Sequence, residues 1–307
     1  MIQVSNLSFS YTKKPFIQDM SFSVSEGEIF GFLGPSGAGK STLQKILLGM
    51  LPGYEGSVVV NGTQCKKCGA DFYENIGVDF EYSTMYEKLS AKENLLFFSS
   101  LYRDKTGHDQ RSSHANRSGM LTHADTSHQR QMRSIDELLR MVGLENDADK
   151  RVSDYSKGMK SRLNFIKALV HDPKLLFLDE PTSGLDPTNS RLMKDMILEE
   201  KRRGKTILLT THNMQDATEL CDRVAFIVGG QIYALDSPHN LIMSKGAAKV
   251  TYTWMDHGER SKSCLLSQLS EDQILHDLIA ENRLQSIHSS EPDLNDIFME
   301  ITGRTLV

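Results

Sequence analysis

A glycine-rich segment near residue 34 has the residue types and the spacing that phosphate binding requires. It matches the pattern G-x-x-x-x-G-K-[ST] and consists of Gly34, Pro35, Ser36, Gly37, Ala38, Gly39, Lys40, Ser41 and Thr42. Glycines let backbone N–H groups point inward at phosphate oxygens, and a following helix N-terminus adds partial positive charge. Lys40 is expected to reach the β- and γ-phosphates, and the Ser41 hydroxyl to ligate Mg²⁺. The alternative is a glycine-rich turn with an accidental lysine.

Two acids end a second segment, the apolar run Leu175–Leu178. A short run that is apolar throughout is typical of a strand buried on both faces of a parallel sheet. Asp179 could hold Mg²⁺ through water, and Glu180 could polarise an attacking water. Taken alone, the two acids are also compatible with capping of a following helix.

The elements that must position these groups alternate between strand and helix patterns. Apolar runs or alternation predict strands at Val4–Phe9, Ile17–Val24, Glu28–Leu33, Ser57–Val60, Ile76–Phe80, Leu175–Glu180, Thr206–Leu209 and Val224–Val228. Helical spacing predicts helices after Thr42 and at Ala91–Leu101, Ile135–Val142 and Lys157–Val170. Alternation of strand and helix indicates βαβ units and an α/β fold. Residues 103–133, rich in Ser, Arg, Gln and His, predict a polar surface insertion.

The residues after Gly229-Gly230 predict a small α+β extension. Its strands are expected at Lys249–Trp254 and Ser261–Leu266, with a helix near Glu271–Ala280. A final helix carries an apolar face, which we expect to pack on the tail's own strands. The residues of this face are Leu294, Ile297, Phe298 and Ile301.

The composition bounds the function classes. With 307 residues, 39% of them apolar, the chain is long enough to bury a core, and its net charge of −5 argues against a dedicated nucleic-acid binder. No run of 18 apolar residues predicts a membrane span, and the first residues lack the order of a signal peptide. Four cysteines do not predict a disulfide framework, and Cys65 and Cys68 are interpreted as surface thiols rather than zinc ligands.

Three further motifs give the sequence its resemblance to a known family. Tyr155–Met159 precedes the two acids, Ser183–Asp186 follows them, and His212 closes the next strand. With Gly34–Thr42 similar to Walker A and Leu175–Glu180 similar to Walker B, the order resembles the nucleotide-binding subunits of ATP-binding cassette (ABC) transporters.

This resemblance covers about residues 1 to 235. It implies a P-loop NTPase cassette with a RecA-like core, an antiparallel β subdomain and a helical subdomain. The implied domains are a nucleotide-binding domain at 1–230, with its helical subdomain at about 81–170, and the extension at 231–307.

In that family two cassettes pair head to tail, and each ATP lies between Walker A of one and the signature motif of the other. The resemblance therefore implies that Ser156 and Gly158 touch the γ-phosphate in trans, and that Asp186 bridges to the opposing Walker A. Lys157 and Met159 depart from the usual Leu-Ser-Gly-Gly-Gln, and Tyr-Ser-Lys-Gly-Met resembles a variant of drug, antibiotic and lantibiotic exporters. Ser156 is also expected to cap the helix that begins near Lys157.

Three more residues take roles from the resemblance. Tyr11 stands where the family places an aromatic that stacks on adenine, although packing is the alternative. Glu81 stands where the family has a glutamine, so it is expected to sense Mg²⁺ and to couple to a membrane partner; otherwise it is a solvated loop acid. His212 is expected to contact the γ-phosphate and to hold the attacking water with Glu180.

The resemblance implies an ATPase that uses ATP and Mg²⁺ and drives export of a drug-, antibiotic- or peptide-like substrate. Its expected partners are a transmembrane permease and a second ABC subunit, identical or different, with no nucleic acid. Its expected place is cytoplasmic, peripheral on the inner face of the membrane. The alternatives are a soluble cassette ATPase acting on ribosomes or nucleic acid and a P-loop kinase of small metabolites. ATPases of the first class usually carry a second cassette or a long coiled-coil insertion, and the sequence shows neither. The signature motif argues against the kinase, because a kinase does not need a loop that acts on the ATP of another subunit.

Overall fold

The computed structural model describes residues 1–81, 84–102, 133–245, 249–256, 258–290 and 292–303. The chain divides into two compact units, one of residues 1–67 with 206–307 and the other of residues 68–205. This division differs from the predicted domain boundary near residue 230, which stays a prediction. Nearly all of the predicted insertion lies outside the described residues.

Thirteen strands and ten α-helices are found in the part of the chain that the structure describes. The strands are β1 (Ile2–Phe9), β2 (Ile17–Val24), β3 (Ile29–Leu33), β4 (Glu55–Val60), β5 (Thr63–Gln64), β6 (Ile76–Asp79), β7 (Leu175–Asp179), β8 (Thr206–Thr211), β9 (Arg223–Val228), β10 (Gln231–Asp236), β11 (Lys249–Met255), β12 (Glu259–Leu265) and β13 (Leu284–Ser290). The helices are α1 (Lys40–Leu47), α2 (Ala70–Tyr73), α3 (Ala91–Ser100), α4 (Ile135–Met141), α5 (Lys157–Lys167), α6 (Pro187–Arg202), α7 (Met214–Leu220), α8 (Pro238–Lys245), α9 (Gln273–Ala280) and α10 (Leu294–Thr302). No helix among them combines the length and the hydropathy needed to cross a bilayer.

The first unit contains a parallel arrangement that ends at the glycine-rich segment. Strand β3 pairs in parallel with β8 on one side and with β9 on the other, and β10 runs antiparallel to β9. Every residue of β3 and β8 is buried, which explains their continuous apolar or β-branched composition. Leu33 lies opposite Thr211 and Phe226, so the carboxyl ends of three strands meet at one edge. A separate antiparallel sheet has the order β2-β1-β4-β5.

The second unit contains a parallel pair, β6 and β7, with Asp79 opposite Leu178. Two of its helices, α3 and α5, begin at side chains that cap them. Ser90 and Glu93 form a capping box at α3, and the Ser156 hydroxyl accepts a hydrogen bond from the Met159 N–H at α5. Such caps each stabilise a helix start by about 1 kcal/mol, so they fix where these helices begin.

The tail differs from the prediction in the position of its last helix. In the β12-β11-β13 sheet Tyr252 is buried, and Leu275 and Leu278 of α9 pack against it. Helix α10 packs instead on α7, α8 and β10, and the Phe298 ring lies 5.1 Å from the Phe226 ring. Packing of α10 on the predicted strands Lys249–Trp254 and Ser261–Leu266 is therefore wrong, although β10 also belongs to the residues after Gly230. An apolar face predicts that a helix is covered but does not identify the element that covers it.

The interpretation of both cysteines in Cys65-Lys66-Lys67-Cys68 as surface thiols is also wrong in part. Cys65 is buried, with its Sγ 3.2 Å from the Leu47 carbonyl oxygen, while Cys68 is half-buried. Among the described residues, no group of three or more His, Cys, Asp or Glu side chains is placed to hold a metal ion. Cys65 thus behaves as a small core residue.

Candidate nucleotide-binding and hydrolysis site

The glycine-rich segment forms a tight loop between the end of β3 and the start of α1. Gly37 and Gly39 have φ values of +77° and +112°, in the left-handed region that favours glycine. A Cβ at Gly34 would lie 2.1 Å from the carbonyl oxygen of Ile227, so no side chain fits there. The sequence pattern therefore gives a backbone that only glycine permits at these three positions.

The Lys40 side chain is folded into this loop. It is buried, and its Nζ donates to the carbonyl oxygens of Gly34 at 2.6 Å and Pro35 at 3.3 Å. Ser41 is exposed and Thr42 is buried on the first turn of α1. A full positive charge, a helix N-terminus and an exposed hydroxyl are thus brought to one small loop, a combination suited to a polyphosphate.

Tyr11 and His212 lie close to the loop within the same unit. The Tyr11 hydroxyl is 3.1 Å from the Thr42 hydroxyl, and its ring meets those of Phe9 and Phe16 edge to face. Although it makes these contacts, Tyr11 is 56% exposed, which leaves ring surface for another group. His212 is exposed and directly follows Thr211, the residue opposite Leu33 at the edge where the loop begins.

In the second unit, Glu81, Asp179 and Glu180 line one cavity of about 250 Å³. Glu81 is exposed, and the two acids that end β7 are half-buried. Glu180 has a φ of +51°, an uncommon value for a residue with a side chain, and such backbone strain is concentrated at functional sites. The structure therefore brings Glu81 together with Asp179 and Glu180, which lie 98 and 99 positions later in the sequence.

The cavity also contains residues that the sequence reasoning did not assign to a site. Lys157 and Lys160 add positive charge to its lining, and Asp79 and Asn164 add further polar atoms. Asp79 is the last residue of β6, and an acid within the run predicted as the strand Ile76–Phe80 could have marked it in the sequence. Asn164 on a helix face carries no comparable signal in the sequence.

The signature segment and the Ser183–Asp186 turn meet at Asn189. Asp186 caps α6 by accepting from the Asn189 N–H at 3.0 Å, and hydrogen bonds from Asn189, its side chain first, hold the pKa of the Asp186 carboxyl below its usual range. A Cβ at Gly158 would lie 2.7 Å from the Asn189 side chain. Ser156 is exposed at the start of α5, where it serves as the expected cap. Its hydroxyl and Asp186 therefore stand on adjoining helix starts.

Asp79 is the most perturbed acid of the cavity. Burial raises its pKa to about 7, and this rise is opposed by the Lys167 ammonium and by a hydrogen bond from Asn164. Burial likewise lowers the pKa of Lys167, opposed by the charge of Asp79. The two side chains form a buried pair whose charges depend on each other.

A pH dependence of stability follows from Asp79. Its pKa of about 7 lies above the ordinary value of 3.8, so the folded chain holds a proton that the unfolded chain releases between these values. The free energy of unfolding therefore falls as pH rises from about 4 to about 7. The asparagine of Asp79→Asn cannot ionise. We therefore expect the free energy of unfolding to fall about 2–3 kcal/mol less in this variant than in the parent between pH ~5 and ~8. Urea unfolding at both pH values measures this; an equal difference between variant and parent at both would contradict it.

Comparison with known proteins identifies the family. Residues 17–183 match the family model described as ABC transporter. The chain belongs to the ABC transporter family. The predicted cassette fold and the predicted ATP-binding, ATP-hydrolysing activity of a transporter subunit are confirmed.

Several relatives match this ABC chain over its full length. A fluoroquinolones export ATP-binding protein of Mycobacterium tuberculosis is 45% identical, covering 100% of this chain and 94% of that protein. Nod factor export ATP-binding protein I of Rhizobium meliloti is 34% identical, covering 99% and 89%. The linearmycin resistance ATP-binding protein LnrL of Bacillus subtilis is 30% identical, covering 100% and 99%. These relatives support the transporter reading rather than an ATPase acting on nucleic acid.

Solved structures agree with the fold. An ATP-binding subunit of an ABC transporter superposes with a TM-score of 0.64 at 26% identity, covering 79% of this chain and 92% of that one. The dimeric cassette MJ0796, bound to ADP and Pi, superposes with a TM-score of 0.61 at 22% identity, covering 77% and 98%. The second likeness is one of fold alone.

Proposed function

We propose that this ABC subunit hydrolyses ATP to drive export of a drug-, antibiotic- or peptide-like substrate through a separate membrane permease. The observation that carries the proposal is the 45% identity over the whole chain, tail included, to a protein named for fluoroquinolone export. The cargo class follows from this relative and from those named for Nod factor and linearmycin. The chain then sits on the inner face of the membrane, held there by the permease.

Lys40 and the loop amides bind the phosphates of ATP, and Tyr11 stacks on the adenine. The residues present fit Mg²⁺, because Ser41, Asp179 and Glu81 offer hard oxygen ligands and Mg²⁺ takes few protein ligands beside phosphates and water. When bound, Mg²⁺ supplies positive charge to the β- and γ-phosphate oxygens. Glu180 orients and polarises the attacking water, and His212 holds that water against the γ-phosphate.

A second ABC subunit completes each site in this proposal. Ser156 and Gly158 stand at the N-terminus of α5, an arrangement that favours an anion. Together with Asp186 at the adjoining start of α6, they meet the ATP held by the opposing subunit. ATP therefore bridges two cassettes, and hydrolysis releases the bridge because the γ-phosphate contacts exist only in the closed state.

An exposed apolar patch on the second unit supplies a surface for the permease. The patch consists of Tyr86, Leu96, Phe97 and Leu101, each between 40% and 63% exposed. Leu96 and Phe97 lie on α3, Leu101 directly follows it, and Tyr86 precedes it with its ring 5.1 Å from that of Phe97. Contiguous exposed apolar surface of this kind marks a protein interface. Docking here would join permease movement to the Glu81 loop.

The test is purification of the tagged chain from its own membranes in mild detergent. A multi-spanning membrane protein is expected to co-purify, and ATPase activity is expected to rise in the reconstituted complex. Phe97→Glu with Leu101→Glu should abolish co-purification while ATP binding is retained. Met255→Glu, which alters an exposed apolar side chain on the tail, is the matched control. Co-purification with ribosomes, or ATPase activity indifferent to any membrane protein, would contradict the proposal.

A further inference from the structure

Four side chains, of which Asp79, Asn164 and Lys167 are buried and Thr84 is exposed, link residues on both sides of Glu81 to helix α5. On the arm before Glu81, the Asn164 amide donates to the Asp79 carboxylate and, at 3.2 Å, to the Phe80 carbonyl oxygen. On the arm after it, Lys167 Nζ donates to the Thr84 hydroxyl at 2.7 Å. Lys167 also donates to the Asn164 side-chain oxygen at 2.9 Å, which joins the two arms. We call Asp79, Thr84, Asn164 and Lys167 the α5 clamp.

Three members of the clamp are polar or charged side chains at buried positions, which are usually apolar. Asp79, Asn164 and Lys167 are only 5%, 4% and 8% exposed. Burying a charged pair is costly, and a well-packed apolar substitute is often at least as stable, so stability gives no reason for this choice. Such a network instead fixes one geometry, because each member is satisfied only in that arrangement.

The clamp also reaches the apolar patch. The Lys167 ammonium lies 5.4 Å from the centre of the Phe98 ring, within range of a cation–π interaction. Phe98 in turn stacks on Tyr86, with 6.1 Å between ring centres. Lys167 therefore contacts the Glu81 loop and, through Phe98, the surface assigned to the permease.

We propose that Asn164 and Lys167 are positioning residues that make the Glu81 loop move with α5, the helix that starts beside Ser156. Asn164 lies eight residues after Ser156, about 12 Å along the helix, so engagement of Ser156 by ATP displaces the loop as well. The trigger of this coupling, the binding of ATP against Ser156, rests on the proposed function. The positioning of Glu81 at the cavity does not. Neither residue touches the substrate in this role.

We expect substitution of the clamp residues to lower the turnover rate and to leave the affinity for ATP nearly unchanged. In the full-length chain, Lys167→Met and Asn164→Leu are expected to lower kcat about 10- to 100-fold, with KM for ATP changed less than ~3-fold. The reason is that the phosphate-binding loop belongs to the other unit and keeps its own contacts. Lys167→Arg, which retains a donor and the charge, should recover most of the lost kcat.

Lys205→Met is the matched control. Lys205 is as buried as Lys167 and also pairs with an acid, Asp172 at 2.5 Å, but its hydrogen bonds go to Asp172 and Pro173 rather than to the Glu81 loop. A comparable drop in melting temperature with kcat retained is expected. If Lys205→Met lost kcat as Lys167→Met does, the effect would be one of stability and the proposal would be overturned.

The same variants are then measured with the co-purified permease. Lys167→Met and Asn164→Leu are expected to lose most of the stimulation that the parent shows. If the parent itself shows no stimulation, the proposed transport function fails. The role of the clamp is then still tested by comparing kcat and KM of the variants without the permease. Parental kcat in both clamp variants, or equal losses in ATP affinity and kcat, would overturn it.

Discussion

Replacing Glu180 with glutamine is expected to lower kcat for ATP hydrolysis about 10²- to 10³-fold while leaving ATP binding within a few-fold of the parent. Glutamine keeps the size and one acceptor oxygen of the side chain but carries no charge to polarise water. Glutamine and glutamate have side chains of the same shape, so the substitution does not add strain at the backbone φ of +51°, and the fold is expected to persist. The same variant should form a stable dimer with ATP, since its bridging nucleotide is not consumed.

Phosphate release at saturating ATP measures the first effect, and light scattering with and without ATP measures the second. Glu87→Gln is the control, because Glu87 is an acid of the same unit that pairs with Lys160 at 2.9 Å. It should hydrolyse ATP nearly as the parent does. Hydrolysis by Glu180→Gln at the parental rate would show that another group activates the water.

Replacing Lys40 with methionine is expected to weaken ATP binding at least ~100-fold. The Lys40 ammonium is the charge held inside the loop, at 2.6 Å from the Gly34 carbonyl oxygen. Methionine preserves the length of the side chain and removes only that charge with its donors. The β- and γ-phosphates then lose this cation, so affinity falls while the fold is retained.

Titration with a fluorescent ATP analogue measures this loss, and circular dichroism checks the fold. Lys45→Met changes an exposed lysine five residues later on the same helix and should bind nucleotide as the parent does. Lys40→Met with parental affinity would mean that the loop binds nucleotide by its backbone alone, and the role given to Lys40 would be wrong.

The sequence predicted the loop, the strand before it and the helix after it closely, because each is a local pattern. Glu28–Leu33 was predicted as a strand and is observed as Ile29–Leu33, and α1 follows directly. Both depend on a buried run and on glycines that neighbour one another in the chain. The cap at Ser156 was predicted for the same reason.

Features that depend on distant pairing were not predictable in this way. Strand β13 is largely polar and exposed, and it exists through its pairing with β11. Strand β10 likewise depends on pairing with β9. The Asn164–Asp79 contact joins residues 85 positions apart, and nothing in either local pattern names the other. The roles of the site residues therefore combine local motifs with contacts that only the fold supplies.

ATP is expected to be shared between Lys40 of one subunit and Ser156 of the partner subunit. The most direct measurement is a cryo-electron microscopy or crystal structure of Glu180→Gln with ATP and Mg²⁺. We expect a two-fold dimer in which the hydroxyl of Ser156 of the partner subunit lies within hydrogen-bond distance of the γ-phosphate. A nucleotide-loaded structure in which no neighbouring Ser156 approaches that phosphate would contradict it.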